Sequence, residues 1–157
     1  MLRLVVMGVS GCGKTTLGEA LAERLGADFV DADDLHPPAN RAKMARGEAL
    51  TDADRAPWLD RVAAVLRDRA PVVVACSALR RAYRDRLREA GGVRFLHLAA
   101  PKEAIAARMA ARRGHFMPAS LLDSQYETLE PPGPDEALTL DARLPPEALL
   151  AEALARL

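Results

Sequence analysis

Aromatic residues are scarce in this 157-residue chain: three Phe, two Tyr and one Trp make up 4% of it. That leaves few platforms on which single-stranded bases could stack. Net charge is missing as well, with 22 basic residues set against 22 acidic ones. A partner held by overall charge, whether nucleic acid or an acidic membrane, is therefore not expected. Two cysteines, Cys12 and Cys76, cannot build a disulfide scaffold. No stretch approaches the ~20 apolar residues of a membrane span, and the apolar run after Met1 is too short for a secretory signal. The expected compartment is the cytoplasm. Lysine is nearly absent too, with three residues against 19 arginines, so Lys14 and Lys43 call for individual scrutiny.

What is present fits one globular domain spanning residues 1–157. Half of the residues are apolar, and a chain this long buries roughly two thirds of its unfolded surface. Leu2 to Met7, Phe29 to Asp31, Val72 to Cys76, Val93 to Leu98 and the weaker Leu138 to Leu140 read as short strands. Between them, helical spacing of apolar residues predicts helices over 14–25, 55–69, about 79–90, 102–112, about 119–129 and 146–156. Gly26 supplies a stop for the first of these. Residues from Pro37-Pro38 to about Leu50 read as a polar connecting segment. Alternating strands and helices predict an α/β fold, a five-stranded parallel sheet flanked by helices on both faces. Ligands of such folds sit at the carboxyl ends of the strands.

The first such end carries Gly8-Val9-Ser10-Gly11-Cys12-Gly13-Lys14-Thr15, a G-x-x-x-x-G-K-[ST] phosphate loop between a strand and a helix, as that motif requires. Its glycines let backbone N–H groups approach phosphate oxygens, and the helix N-terminus adds its positive dipole end. The loop, with Thr16 behind it, is the expected ATP site. Lys14 is expected to reach the β and γ phosphates, and the Thr15 hydroxyl to bind Mg²⁺. The fold is thus expected to be that of a single-domain P-loop NTPase. No Asn-Lys-x-Asp guanine motif is present, and the strand ending at Cys76-Ser77 has no acid after it.

Acids stand instead after the second strand, in Asp31-Ala32-Asp33-Asp34-Leu35-His36, a strand expected beside the phosphate loop. On an extended segment Asp31 and Asp33 share a face. One of the two can support the metal and its water while the other takes a proton from an acceptor hydroxyl, with Asp31 preferred for the metal and Asp33 for the proton; Asp34 points away.

Four blocks then resemble one family. They are Asp31-Ala32-Asp33-Asp34-Leu35-His36-Pro37-Pro38 with Ala39-Asn40-Arg41-Ala42-Lys43-Met44; Gly47-Glu48-Ala49-Leu50-Thr51-Asp52-Ala53-Asp54-Arg55-Ala56-Pro57-Trp58-Leu59; Cys76-Ser77-Ala78-Leu79-Arg80-Arg81-Ala82-Tyr83-Arg84-Asp85; and His115-Phe116-Met117-Pro118 followed by Leu121-Leu122, Ser124-Gln125 and Leu129-Glu130. Together with the phosphate loop they cover residues 8–132 and resemble the gluconokinases, small phosphate-loop sugar-acid kinases of the shikimate- and adenylate-kinase-like group. The resemblance implies ATP-dependent phosphorylation of D-gluconate at its 6-hydroxyl, a homodimer, and a short lid over about 112–130.

An anionic, polyhydroxylated acceptor needs cations for its carboxylate. Lys43, Arg55, Arg81 and Arg84 are the candidates, within an acceptor segment of about 36–58 and the third block. His36 either hydrogen-bonds the acceptor or caps the local turn, and Ser77 is either an N-cap or an acceptor-site hydroxyl. Trp58 reads as packing rather than as a sugar platform. The Arg80 to Arg88 run reads as a solvated face with one or two arginines turned inward. Arg112, four residues after Arg108, resembles a lid arginine that neutralises charge on the transferring group. In the family the turn after the last strand helps to hold adenine, and here that turn falls on 141–146. The competing readings are a kinase for another sugar acid or cyclitol acid, a non-catalytic nucleotide-binding module, and a nucleic-acid phosphorylating enzyme favoured only by the arginine run.

Overall fold

A computed structural model describes residues 1–111 and 119–157. The apolar run at the start forms strand β1 (Arg3–Met7), the centre of the sheet, with Leu4 to Met7 wholly buried. Strands β2 (Asp28–Asp31), β3 (Val72–Ala75), β4 (Arg94–Ala99) and β5 (Leu138–Asp141) join it in the order β2-β3-β1-β4-β5. Every pairing is parallel.

Parallel sheets need both faces covered, and side-chain alternation divides the core accordingly. Leu4 and Val6 face one layer, packed against α1 (Lys14–Leu25), α5 (Lys102–Ala111), α6 (Ala119–Thr128) and α7 (Pro146–Arg156). Val5 and Met7 face the other, against α3 (Asp52–Asp68) and α4 (Arg81–Arg88). Gly26 closes α1, its N–H bonded to the carbonyl of Ala22. Among the described residues no helix is long and apolar enough to cross a membrane.

Three local expectations change. The segment after Pro37 is not a plain connection, because Pro38–Ala45 forms helix α2. Asn40 is its only buried residue, so the helix carries no apolar stripe to read. Helix α3 starts earlier than its apolar spacing indicates, at a reciprocal cap. The Thr51 hydroxyl accepts from the Asp54 N–H, and the Asp54 carboxylate accepts from the Thr51 N–H, the pattern of a capping box. Finally, β3 lies between β1 and β2, so the second strand is not the immediate neighbour of the strand that carries the phosphate loop. Helix α1 packs across β3 and β2 and so brings the two loops together.

Candidate functional site

The loop from Gly8 to Gly13 leaves β1 and enters α1 with positive φ at Gly8, Gly11 and Gly13. A Cβ at Gly8 would stand 2.8 Å from the carbonyl oxygen of Leu98, and one at Gly11 would stand 2.9 Å from the Met109 side chain. Only glycine meets both the backbone angle and the space. The Lys14 ammonium folds back to donate to the carbonyls of Gly8 and Val9, each at 3.0 Å. Val9 and Cys12 are buried beneath the loop. Burial also pushes the thiol of Cys76, at the end of β3, up to about 12, so it stays protonated and inert.

Asp31 and Asp33 reach the phosphate loop by a different route from strand alternation. The chain leaves β2 directly into a single 3-10 turn, Ala32–Leu35, which Asp31 caps by accepting the Asp33 N–H at 2.9 Å. The other Asp31 oxygen accepts from the Thr15 hydroxyl at 3.4 Å. Burial raises the Asp31 pKa, and the neighbouring charges of Asp33 and Asp34 add to the rise. Both Asp31 and Asp33 line the cavity under the phosphate loop, with Ser10, Lys14, Thr15 and Thr16. Asp33 also lines the adjoining cleft. The Asp34 side chain is 79% exposed, 4.0 Å from Arg41.

That adjoining cleft has Lys14 and Asp33 at one end. His36, Met44, Leu50, Arg55, Trp58 and Ser77 form its walls, with Leu121, Ser124 and Gln125 of α6 beside them. Trp58 is buried and donates its indole N–H to the carbonyl of Ala32 at 2.7 Å, and the His36 ring stacks on it at 4.2 Å. Arg55 is held by Tyr83: its guanidinium donates to the phenol oxygen at 2.9 Å and lies over the ring, while the phenol donates to Asp52. Ser77 caps no helix, since α4 begins only at Arg81; its hydroxyl-bearing side chain belongs to the cleft wall.

Of the four cations expected to meet the acceptor carboxylate, only Arg55 lines the cleft. Lys43 is spent on Asp54, 2.8 Å away, and that bond holds the Asp54 carboxyl down to about 2. Arg81 is exposed, and its backbone N–H, not its side chain, reaches Glu130. Arg84 is one of the inward-turned arginines of its run, yet it faces the core. Its side chain is 1% exposed and its guanidinium bonds Glu136 and the carbonyls of Ala78 and Glu130. Proximity in sequence put these residues in the matching blocks; ionic partners hold Lys43 and Arg84 away from the cleft, and Arg81 lies exposed outside it. Arg112 and the block His115 to Pro118 lie outside the described residues.

Two residues named in the sequence without a role of their own also belong to the site. Gln125 accepts a hydrogen bond from the Ser10 N–H at 2.7 Å, tying α6 to the phosphate loop. Arg108 donates to the carbonyl of Ala142 at 2.6 Å and to that of Gly11 at 3.4 Å. It thereby borders a second cleft formed by Cys12, Gly13, Thr16, Leu17 and residues 142–146. The spacing of Arg108 from Arg112 was a signal for the helix face, though not for this position.

Residues 4–132 match a family described as an AAA domain. The gluconokinase of Gluconobacter oxydans is 49% identical over 155 residues, covering 95% of this chain and 87% of that one. The thermoresistant gluconokinase of Escherichia coli is 42% identical over 157 residues, covering 96% and 90%. The crystal structure of a gluconokinase from Sinorhizobium meliloti superposes with a TM-score of 0.92 at 49% identity, covering 98% of this chain and 90% of that chain. A shikimate kinase from Aquifex aeolicus shares the fold, with a TM-score of 0.69 at 16% identity and coverage of 98% and 95%.

Proposed function

The chain belongs to the gluconokinase family, and from that premise we propose that it transfers the γ-phosphoryl group of ATP to the 6-hydroxyl of D-gluconate, giving 6-phosphogluconate and ADP. The observation that carries this reading is the place of Asp33. It lies on the wall shared by the phosphate cavity and the acceptor cleft, and that cleft holds Arg55 as well.

The chemistry needs positioning and charge stabilisation more than covalent help from the protein. The acceptor oxygen attacks the γ-phosphorus as the bond to the β–γ bridging oxygen breaks, and Asp33 receives the hydroxyl proton. Lys14 leaves its loop carbonyls to meet the phosphates. Arg55 pairs with the gluconate carboxylate, for which its planar fork suits it, while Ser77 and His36 meet the hydroxyls. Arg112 keeps the charge-neutralising role that its place in the sequence suggests. The second cleft takes adenine, bounded by Arg108 and the turn after β5.

Mg²⁺ fits the residues present. Thr15 and Asp31 bring hard oxygen donors to one point of the phosphate cavity, as this ion requires. Bound there, it would neutralise charge shared by the β and γ phosphates. Family resemblance further supports a homodimer, which light scattering would test, and a cytoplasmic location, which fractionation of cells would test.

An ADP-release assay with gluconate, shikimate and glucose tests the reading. Gluconate is expected to be preferred over glucose, which lacks the carboxylate, by roughly 10⁴-fold in kcat/KM, the scale on which a site built for a polar group rejects an analogue lacking it, and to be preferred over shikimate as well. Absence of gluconate turnover, or preference for shikimate, overturns it.

A further inference from the structure

Asn40 is the one buried residue of α2, 4% exposed, and it touches the acceptor cleft only through His36. One atom of its side-chain amide lies 2.9 Å from the carbonyl oxygen of Asp54 and 3.2 Å from Nδ1 of His36. A backbone carbonyl oxygen only accepts, so the amide atom facing it is the NH₂ nitrogen. With one hydrogen on Asp54, the nitrogen turns the other toward Nδ1. A ring nitrogen that accepts carries no proton, and the proton of the neutral imidazole therefore sits on Nε2.

The rest of the ring is equally constrained. Its face lies on Trp58, with an angle of 12° between the planes, and Trp58 is itself fixed by its bond to Ala32. Nε2 has no hydrogen-bond partner among the described residues, where no buried side-chain nitrogen or oxygen goes unpartnered. Nε2 is thus the atom that His36 leaves open as it lines the cleft.

We propose that Asn40 is a positioning residue that holds His36 as its Nε2–H tautomer, so that the ring offers the acceptor a hydrogen-bond donor at that atom. The substrate must then bring an oxygen that accepts there, as a hydroxyl or carboxylate oxygen of gluconate does. This deepens the gluconokinase reading and rests on it for the identity of the substrate. The surroundings keep the ring neutral. Burial foremost, together with the positive charges of Arg41 and Arg55, holds the His36 pKa down to about 4 against the opposing charge of Asp31. The Asp54 carboxylate is occupied by Lys43 and Thr51.

Two-bond ¹⁵N–¹H NMR correlation on the full chain reads the tautomer directly, with His36 assigned by the loss of its signals in His36→Gln. The wild-type ring is expected as Nε2–H between about pH 6 and 8. Asn40→Asp sets a carboxylate against Nδ1, which favours a proton there. It is expected to convert the ring to a form protonated at Nδ1 and to raise the gluconate KM about tenfold, the cost of a mispaired buried group, with ATP KM unchanged.

A pair of variants at His36 covers the case in which Asn40→Asp does not fold. The amide of Gln reaches the position of Nε2, whereas that of Asn reaches only that of Nδ1. Both variants lose the stacking on Trp58, but His36→Gln should raise gluconate KM markedly less than His36→Asn, by about threefold against about tenfold or more. A wild-type ring that is charged or protonated at Nδ1 at neutral pH overturns the proposal, and so do equal effects of Gln and Asn. Failure of the wild-type protein to turn over gluconate would instead remove the functional reading, while the spectrum would still decide the tautomer.

Discussion

Arg84 and Glu136 form a two-pronged ion pair in the core, the guanidinium meeting both carboxylate oxygens at 3.0 and 3.2 Å with side chains 1% and 7% exposed. Arg88 adds a second cation to the same carboxylate at 2.7 Å. The pair joins α4 to the chain just before β5, and so supports the sheet edge beside which the second cleft lies.

Breaking such a pair from one side costs about 3–5 kcal/mol, of which Arg88, remaining on the Glu136 carboxylate, offsets only part. Arg84→Met is therefore expected to lower Tm by about 10 °C or more, read by differential scanning calorimetry. The gluconate KM of the remaining folded enzyme should stay near that of wild type; a large rise in KM with unchanged Tm would return Arg84 to the substrate site.

The same pair makes stability depend on acid. Its bond to Arg84 holds the Glu136 carboxyl down to about 2, below the ordinary 4.5. A carboxyl with a depressed folded pKa contributes stability above its unfolded value and loses it as pH falls. Between about pH 4.5 and 2 the wild-type protein should lose stability more steeply than Glu136→Gln, in urea titrations at successive pH values. Parallel curves would contradict this.

Asp33 lines both the phosphate cavity and the acceptor cleft, the position proposed for the base. Asp33→Asn should reduce kcat by about a thousandfold while ATP affinity, followed by calorimetry, changes by no more than a few-fold. A variant retaining a tenth of the wild-type kcat would exclude Asp33 as the base.

Arg55 acts through its own geometry, which Tyr83 and Asp52 hold. Arg55→Lys keeps the charge and loses the planar fork, so gluconate KM should rise about a hundredfold. Tyr83→Phe removes only the hydroxyl between Arg55 and Asp52, and a rise of about fivefold with kcat nearly unchanged is expected. Steady-state kinetics on the two variants would show whether the order is reversed.

Gln125 tests the link between α6 and the phosphate loop. Gln125→Glu places a negative charge 2.7 Å from the Ser10 N–H, beside the site for ATP phosphates, and should raise ATP KM at least about tenfold. Gln125→Leu leaves the N–H free for phosphate or water and should change it by about threefold at most. Equal effects would assign the residue to packing alone.

Much of this site is written in short segments. The strand, glycine loop and helix around Lys14 are contiguous, and their geometry follows from backbone rules that operate within a few residues. Asp31 and Asp33 were legible as a pair for the same reason, although the 3-10 turn rather than strand alternation places them. Helix α2 was not legible, because its one buried residue is polar and its apolar face is absent.

The sequence by itself determined the layered parallel sheet, the phosphate loop and the chemical character of the acceptor segment, since apolar period and glycine placement act locally. Tertiary structure alone decided which cation among Lys43, Arg55, Arg81 and Arg84 meets the cleft: the partners of Lys43, Arg55 and Arg84 hold their side chains in place, and Arg81 is left exposed. Those partners are settled only by folding: Glu136 stands 52 residues beyond Arg84 and Tyr83 28 beyond Arg55. In Asn40 and His36 both residues sit on one short stretch, yet the carbonyl of Asp54 that orients the amide comes from the next helix.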